Sequence, residues 1–280
     1  MRAQTLILIS TVALLSGCSS ALFKPDGMLA QVANATGRVN TKVTPEEEQK
    51  MGRDAAATLL GAAPLLNDPA LQSYVNKVGV WLAMQSSAPN LAWRFGVLDD
   101  DDVNAFAAPS GYVLITKGLI GILKNEAELA GVLAHEVGHV QQQHHQRQVV
   151  QQRITQAFIG GDVGKVHIPM GSGGAEVISF SATDLYSNGL SRDDELEADR
   201  VGVVLAARAG YDPFGLPAAL QAMDALNADD PALALMFKTH PKPAERLDEL
   251  ETSMAALETY AGQSLGAARF LSIAGRYAKK

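Results

Sequence analysis

Two histidines and a glutamate within residues 135–139 have the types and spacing of a metal-dependent hydrolase site. His135 and His139 stand four residues apart, so on a helix both imidazoles project from one face and can reach a single ion. Glu136, beside the first histidine, is placed to take a proton from a metal-bound water. A helix is expected because Asn125 can cap its start and apolar residues then recur at helical spacing. The motif predicts a zinc hydrolase, most often a metalloprotease, and requires a third ligand.

The third ligand is expected from the acidic stretch at residues 191–202, where Ser191 can cap a second helix. Glu195 and Asp199 are four residues apart and therefore share one helical face. Glu195 can bind the metal, while Asp199 can accept the spare N–H of a ligating histidine and fix its tautomer. Glu197 points elsewhere on such a helix. The alternative is an acidic surface helix. We would favour that interpretation if this stretch occurred alone, but not in a sequence that also contains an HExxH motif.

Length and composition narrow the class of protein. The 280 residues are 47% hydrophobic, which is enough to bury a sizeable core as one large domain or as one domain with an appendage. The formal net charge of −7 argues against nucleic acid as the main partner. The single cysteine excludes an intramolecular disulfide and a thiolate zinc cluster.

Residues 1–17 have the features of a signal peptide. After one basic residue, the apolar run from Leu6 to Leu15 is too short to span a bilayer as a stable helix. It ends in Leu-Ser-Gly-Cys, which resembles the lipobox of bacterial lipoproteins, so we expect cleavage before Cys18 and lipidation of that cysteine. By the same resemblance, Ser19 favours the outer membrane over the inner one. The alternative is an ordinary signal peptide with a leftover thiol.

The rest of the chain divides into a tether, a folded domain and a tail. Residues 18–43 contain scattered polar residues with proline and glycine, and we interpret them as a lipidated tether. Thr44 begins a capping pattern in which proline follows and glutamate completes the box, so a zinc metallopeptidase domain is expected over residues 44–262. The tail, residues 263–280, is alanine-rich and basic at its end, and no role is assigned to it.

The periodicity predicts a mainly α-helical fold with a small β-sheet, an α+β arrangement. Residues 68–84 carry apolar residues at helical spacing. Residues 93–97 and 112–116 instead read as strands, the first by alternation. Most of the remaining patterned sequence, including both acidic and histidine motifs, has helical character.

The sequence after the second motif histidine carries two more histidines. Residues 141–158 are expected to continue the active-site helix as a glutamine-rich, amphipathic stretch. His144 and His145 lie on it, and surface or structural roles are favoured there over metal binding. Residues 160–176 are rich in glycine, which predicts either a lid over the cleft or a long connector.

Four motifs occur in the order NAFAAPSG, HEVGH, SRDDELEAD, and THP followed by an arginine. Together they resemble the HtpX-type zinc endopeptidases, relatives of the CAAX prenyl protease, in their soluble periplasmic lipoprotein branch. The resemblance covers roughly residues 45–250 and implies a gluzincin metalloprotease domain with one zinc ion per chain. It also implies that His135, His139 and Glu195 bind that ion. One departure is Ser110, where family members commonly have glycine; it concerns a turn and not the metal site.

The resemblance further implies a substrate-binding edge strand. In the family, the NAFA strand lies along the cleft and pairs with the backbone of the substrate. In this sequence its residues are Asn104, Ala105, Phe106 and Ala107. Pairing of this kind requires an extended, unfolded segment of substrate.

His240 and Arg246 are two further candidates for the site. Pro241 restricts the backbone of His240 to extended geometry and could hold its side chain towards the cleft. There His240 could donate to the developing oxyanion, or it could complete the zinc shell at rest as a fourth ligand. The alternative is a helix-capping loop with an exposed histidine. Arg246 could pair with an active-site carboxylate or fix that loop.

The function expected from these motifs is that of a zinc-dependent endopeptidase tethered to the bacterial envelope. It would lie in the periplasm, held to the outer membrane by its N-terminal lipid, and hydrolyse unfolded or misassembled envelope proteins. A rival is an envelope assembly factor or chaperone that uses the same cleft mainly to bind clients. A structural zinc domain without turnover is a third possibility, against which Glu136 argues because a structural site has no use for a base.

Overall fold

The computed structural model describes the chain in three stretches, residues 43–159, 189–226 and 230–279. The expected signal peptide, Cys18, most of the tether and the glycine-rich segment at residues 160–176 lie outside the described residues. Within the described part, residues 43–149 and 189–279 belong to one compact unit, and residues 150–159 belong to another. The first of these units contains the candidate site.

Helices form most of the described chain, and the predicted mainly α-helical fold with a small sheet is confirmed. In order they are α1 (Pro45–Ala62), α2 (Pro69–Ala83), α3 (Lys117–Ile122), α4 (Glu126–Gln141), α5 (His144–Ile159), α6 (Arg192–Arg208), α7 (Gly215–Asp224), α8 (Ala234–Thr239), α9 (Pro243–Ala255) and α10 (Ala267–Ala274). Capping residues begin several of them as the sequence indicates. Thr44 forms a complete capping box, and the side chain of Asn125 accepts a hydrogen bond at the start of α4. Among the described residues, no helix is both long enough and apolar enough to cross a membrane.

The sheet has three short strands, β1 (Arg94–Leu98), β2 (Ala105–Ala108) and β3 (Tyr112–Thr116). Their order is β1-β3-β2, with β3 parallel to β1 and antiparallel to β2. The strands predicted at residues 93–97 and 112–116 are thus β1, at one edge of the sheet, and β3, at its centre. The NAFA segment forms the other edge. This edge faces α4, on which the HExxH motif lies.

The turn between β2 and β3 places Ser110 at φ 63° and ψ 23°, in the left-handed region that favours glycine. The backbone N–H of Ser110 donates to the Glu48 carboxylate at 3.2 Å, so a side chain from α1 holds the turn. Serine therefore adopts a conformation that favours glycine at this position, and the hydrogen bond to Glu48 holds it there. The turn keeps β2 antiparallel to β3.

Helix α4 is buried along nearly its whole length and packs most extensively against α6. Two glycines allow the close approach of these helices. A Cβ atom on Gly202 would lie 2.9 Å from the backbone nitrogen of His135, and one on Gly138 would lie 3.2 Å from the carbonyl oxygen of Ala198. The backbone of α6 is thereby brought against the turn of α4 that carries both motif histidines.

The prediction that residues 141–158 continue the active-site helix is wrong. Helix α4 ends at Gln141, and α5 begins at His144. Between them Gln143 adopts φ 57°, a left-handed conformation that cannot continue an α-helix. The break lies between Gln141 and His144, and the side chains of His144 and His145 are buried.

The start of α4 is held by residues from distant parts of the chain. The buried carboxylate of Glu126 accepts hydrogen bonds from the hydroxyls of Tyr74 at 2.6 Å and Tyr211 at 2.8 Å. It also pairs with Arg269 of α10, beside the fully packed Phe270. The C-terminal residues, to which the sequence assigned no role, are therefore packed on the domain.

We expect Gly202→Ala to destabilise the protein by about 1–3 kcal/mol, because its Cβ would meet backbone atoms of α4 that cannot move without repacking. The matched control is Gly61→Ala in α1, where a Cβ meets nothing within 4 Å. That change should stabilise by about 0.5–1 kcal/mol, since alanine is the better helix former. Chemical denaturation measures both. Equal stability of the two variants would contradict the close contact of α4 and α6.

Candidate active site

The HExxH residues lie in the second half of α4, and all three side chains are buried. The Nε2 atoms of His135 and His139 are 2.9 Å apart, so both imidazoles converge on one point. Burial lowers the pKa of both rings, which keeps them in the neutral form that binds a metal. The helical spacing has thus produced the convergence that the sequence predicted.

Glu195 approaches the same point from the first turns of α6. Its carboxylate oxygens lie 3.6 Å from Nε2 of His135 and 3.5 Å from Nε2 of His139. The side chain is almost completely buried, and its Oε2 atom has no hydrogen-bond partner among the described residues. A buried carboxylate oxygen beside two imidazole nitrogens is costly to leave unpaired, and a metal ion would satisfy it.

A four-residue group of potential metal ligands is formed when His240 is included. One ligand atom from each of His135, His139, Glu195 and His240 lies within 4.8 Å of the others. Three nitrogen donors and one oxygen donor suit a divalent transition metal in tetrahedral coordination. The residues present therefore fit the metal that the motif implies.

Asp199 and Arg246 hold His135 from behind. Oδ1 of Asp199 lies 2.8 Å from Nδ1 of His135, which fixes the Nδ1–H tautomer and leaves Nε2 free for a metal. Arg246 donates to both oxygens of Asp199, at 2.5 Å and 2.9 Å. Burial opposes ionisation of Asp199, but the Arg246 charge more than offsets it and holds the pKa of Asp199 below its usual range. Of the two contacts expected for Arg246, the structure shows the pairing with a carboxylate.

Glu136 lines a cleft beside the ligand group. Burial raises the pKa of Glu136 to about 8, and it raises the pKa of Glu195 as well. A divalent cation next to these carboxyl groups opposes both shifts, because it stabilises the ionised forms. A bound divalent ion would therefore favour the carboxylate form of Glu136 at the wall of the cleft.

His240 follows α8 and adopts the extended backbone expected before Pro241, with φ −128° and ψ 151°. Its Nδ1 atom is 2.9 Å from the Thr239 hydroxyl, and its Nε2 atom is 3.7 Å from Oε2 of Glu195. Burial lowers the pKa of His240, so its imidazole is neutral. Its side chain is only 12% exposed, which excludes the alternative of an exposed histidine in a capping loop.

The edge strand β2 forms another wall of the cleft. Ala105, Phe106 and Ala107 line it, whereas Asn104 has a different position. Asn104 is fully buried, and its side-chain oxygen accepts from the N–H of Ala105 at 2.9 Å. Asn104 therefore fixes the entry to the strand, and the three following residues run along the cleft.

Two histidines that the sequence did not assign to the site contact it. The Nδ1 atom of His144 lies 2.7 Å from Nδ1 of His139, and His145 lines the cleft and hydrogen-bonds to the backbone of Ala107. Glu197, which points away from the ligand group, lies 3.2 Å from the other nitrogen of His144. In the sequence, His144 and His145 stand just after the HExxH motif, and this position was the one available indication of a role in the site. The continuous helix that we expected there would not have brought them into contact with His139 or the cleft.

The fold and site define a metal-dependent hydrolase, and comparison with known proteins identifies the family. Residues 69–254 match the profile of Peptidase family M48. The chain belongs to this family of metallopeptidases, which confirms the expected kind of enzyme and implies a metal cofactor.

Three relatives illustrate the range of the similarity. The Escherichia coli (strain K12) "Beta-barrel assembly-enhancing protease" is 33% identical over 208 residues, covering 72% of this chain and 42% of the relative. The Arabidopsis thaliana "Mitochondrial metalloendopeptidase OMA1" is 29% identical over 244 residues, covering 84% and 47% respectively. The Escherichia coli (strain K12) "Metalloprotease YcaL" is 29% identical over 168 residues, covering 58% and 63%. The chain thus spans less than half the length of the first two relatives.

We expect Glu195→Ala to reduce metal affinity by at least about 100-fold, because it removes the oxygen donor from the ligand group. Asp193→Ala on the same helix is the control, since Asp193 is exposed and outside that group. Competition with a chromophoric chelator measures both affinities. Equal metal affinity in the two variants would remove Glu195 from the ligands.

Proposed function

We propose that this chain is a zinc-dependent endopeptidase in which His135, His139 and Glu195 hold one zinc ion. The observation that carries the proposal is the convergence of these three ligand atoms beside a cleft that Glu136 lines. Two imidazoles and a carboxylate are a ligand set typical of catalytic zinc, with a further position left for water or substrate. A purely structural site would not need Glu136 at its side.

Zinc in such a site acts as a Lewis acid that polarises the peptide carbonyl and acidifies water. The Glu136 carboxylate takes a proton from the attacking water and passes it to the nitrogen of the departing amine. Asp199 holds the proton on Nδ1 of His135, and Arg246 keeps that carboxylate ionised and in place. The low exposure of the site limits competing water around the reacting groups.

The substrate is proposed to bind as an extended strand along β2. This strand is at the edge of the sheet and lines the cleft with Ala105, Phe106 and Ala107. Small side chains at two of these positions allow a peptide backbone to come close, and strand addition at a sheet edge recognises backbone irrespective of sequence. An endopeptidase with this edge acts on segments that have lost their own pairing, which are those of unfolded or misassembled proteins.

The location proposed is the bacterial periplasm, with Cys18 as a lipid anchor at the outer membrane and no other membrane attachment. Support comes from the lipobox-like sequence before Cys18 and from bacterial relatives named for β-barrel assembly. Substrates would accordingly be envelope proteins, and the role would be protein quality control.

Glu136→Gln tests the chemistry. The variant should lose proteolysis of unfolded casein by at least about 10³-fold while it retains one metal per chain, because the proton acceptor is lost and the ligands remain. Glu46→Gln, the same change at an exposed position of α1 and outside the cleft, is the control and should keep its activity.

Two results would argue against the peptidase. Casein cleavage by metal-replete Glu136→Gln at the wild-type rate would remove Glu136 from the mechanism. A wild-type protein that binds casein but does not cleave it, with or without a chelator, would favour the assembly-factor alternative.

His240 is proposed as a fourth ligand that substrate displaces, because its ring nitrogen lies within the ligand group. His240→Ala should then release metal about 10-fold faster or more while kcat stays equal or rises. Lys238→Ala, an exposed change on the preceding helix, should behave as wild type. A fall in kcat of about 10²–10³ with unchanged metal release would instead assign His240 as an oxyanion donor.

A further inference from the structure

The two ligand histidines of α4 have different supports. Asp199 contacts Nδ1 of His135 directly, as described above. Among the described residues, His139 has no carboxylate at its Nδ1 atom; its hydrogen-bond partner there is Nδ1 of His144, at 2.7 Å. The two rings meet nearly at right angles, with centroids 4.9 Å apart and an interplanar angle of 76°. The His144 side chain is fully buried, so this contact is protected from water.

The positions of the protons follow from the geometry. If Nε2 of His139 faces the metal, its proton must be on Nδ1, and Nδ1–H can only donate to a bare Nδ1 of His144. The proton of His144 is then on its Nε2 atom, which lies 3.2 Å from Oε2 of Glu197. His139, His144 and Glu197 thus form a series of hydrogen bonds in which every donor meets an acceptor. A single assignment of tautomers satisfies all of these contacts.

Glu197, at the outer end of this series of hydrogen bonds, is held in place by ion pairing. Arg147 donates to Asp194 at 2.5 Å and to Glu197 at 2.9 Å, and so holds Glu197 in front of His144. The same three residues, His144, Asp194 and Glu197, could be read as a second metal site. That reading is disfavoured because the Arg147 guanidinium already bridges the two carboxylates, and a cation would have to displace it.

We infer that His144 is a positioning residue that orients His139 for metal binding and passes the support of Glu197 to it. This inference rests on the proposed function in one respect, namely that His139 is a metal ligand. An acceptor at Nδ1 fixes the ring and makes Nε2 a better donor, as Asp199 does for His135. His135 thus has a carboxylate as the hydrogen-bond acceptor at its Nδ1 atom. His139 instead has a neutral imidazole as acceptor, and that imidazole is in turn hydrogen-bonded to a carboxylate.

The test uses metal affinity in the Glu136→Gln background, where the ligands are intact and proteolysis does not interfere. His144→Phe keeps most of the ring volume but removes the acceptor. It should weaken zinc binding by about 10–100-fold, the range found when such supporting partners are lost. His144→Asn restores an acceptor oxygen and should recover affinity to within about 5-fold of the parent.

Two controls separate positioning from packing. Gln146→Ala alters another buried polar side chain of α5 and should leave zinc affinity unchanged. The visible spectrum of the cobalt-substituted protein reports the ligand geometry directly, and it should change in His144→Phe but not in Gln146→Ala. Zinc affinity is read independently of turnover, so failure of the proposed peptidase activity leaves this result interpretable.

Parental zinc affinity in His144→Phe would overturn the inference. So would His144→Asn binding zinc as weakly as His144→Phe, because packing and not an acceptor would then be responsible. If both His144 variants fail to fold, Glu197→Ala at the partly exposed outer end replaces them. It should weaken zinc binding by about 3-fold or more, and an unchanged affinity there would equally refute the role of His144.

Discussion

The structure of the site depends on the close contact between α4 and α6. One helix supplies two imidazoles and the other supplies Glu195 and Asp199, so the distance between their axes determines whether three ligand atoms can meet. Gly138 and Gly202 allow that distance because neither carries a side chain at the contact. A second consequence is burial: with α6 lying across it, the motif turn of α4 is removed from water, and every polar group there needs a partner.

Charge within the site is balanced by the residues around it. Glu136, Glu195 and Asp199 are three buried carboxyl groups, and among the described residues Arg246 is the guanidinium that contacts them, through Asp199. When all three are ionised, two negative charges remain uncompensated. A divalent cation matches that excess. The donor atoms define where a metal would bind, and the surrounding charges define which valence the site favours.

The sequence predicted the parts of the site that lie within regular helices. The placement of His135 and His139 on one face of α4 follows from a fixed periodicity, and so does the placement of Asp199 on the same face as Glu195. The contact of His144 could not be predicted in this way. It depends on the left-handed conformation of Gln143. Glutamine rarely adopts that conformation, so the local sequence does not predict it.

The carboxylate of Glu126 links the beginning of the active-site helix to a residue 143 positions later in the chain. Burying that carboxylate without its arginine partner is unfavourable, so docking of α10 and burial of the start of α4 stabilise each other. Folding of the active-site helix is therefore coupled to folding of a helix far away in the sequence, and the two are expected to unfold together.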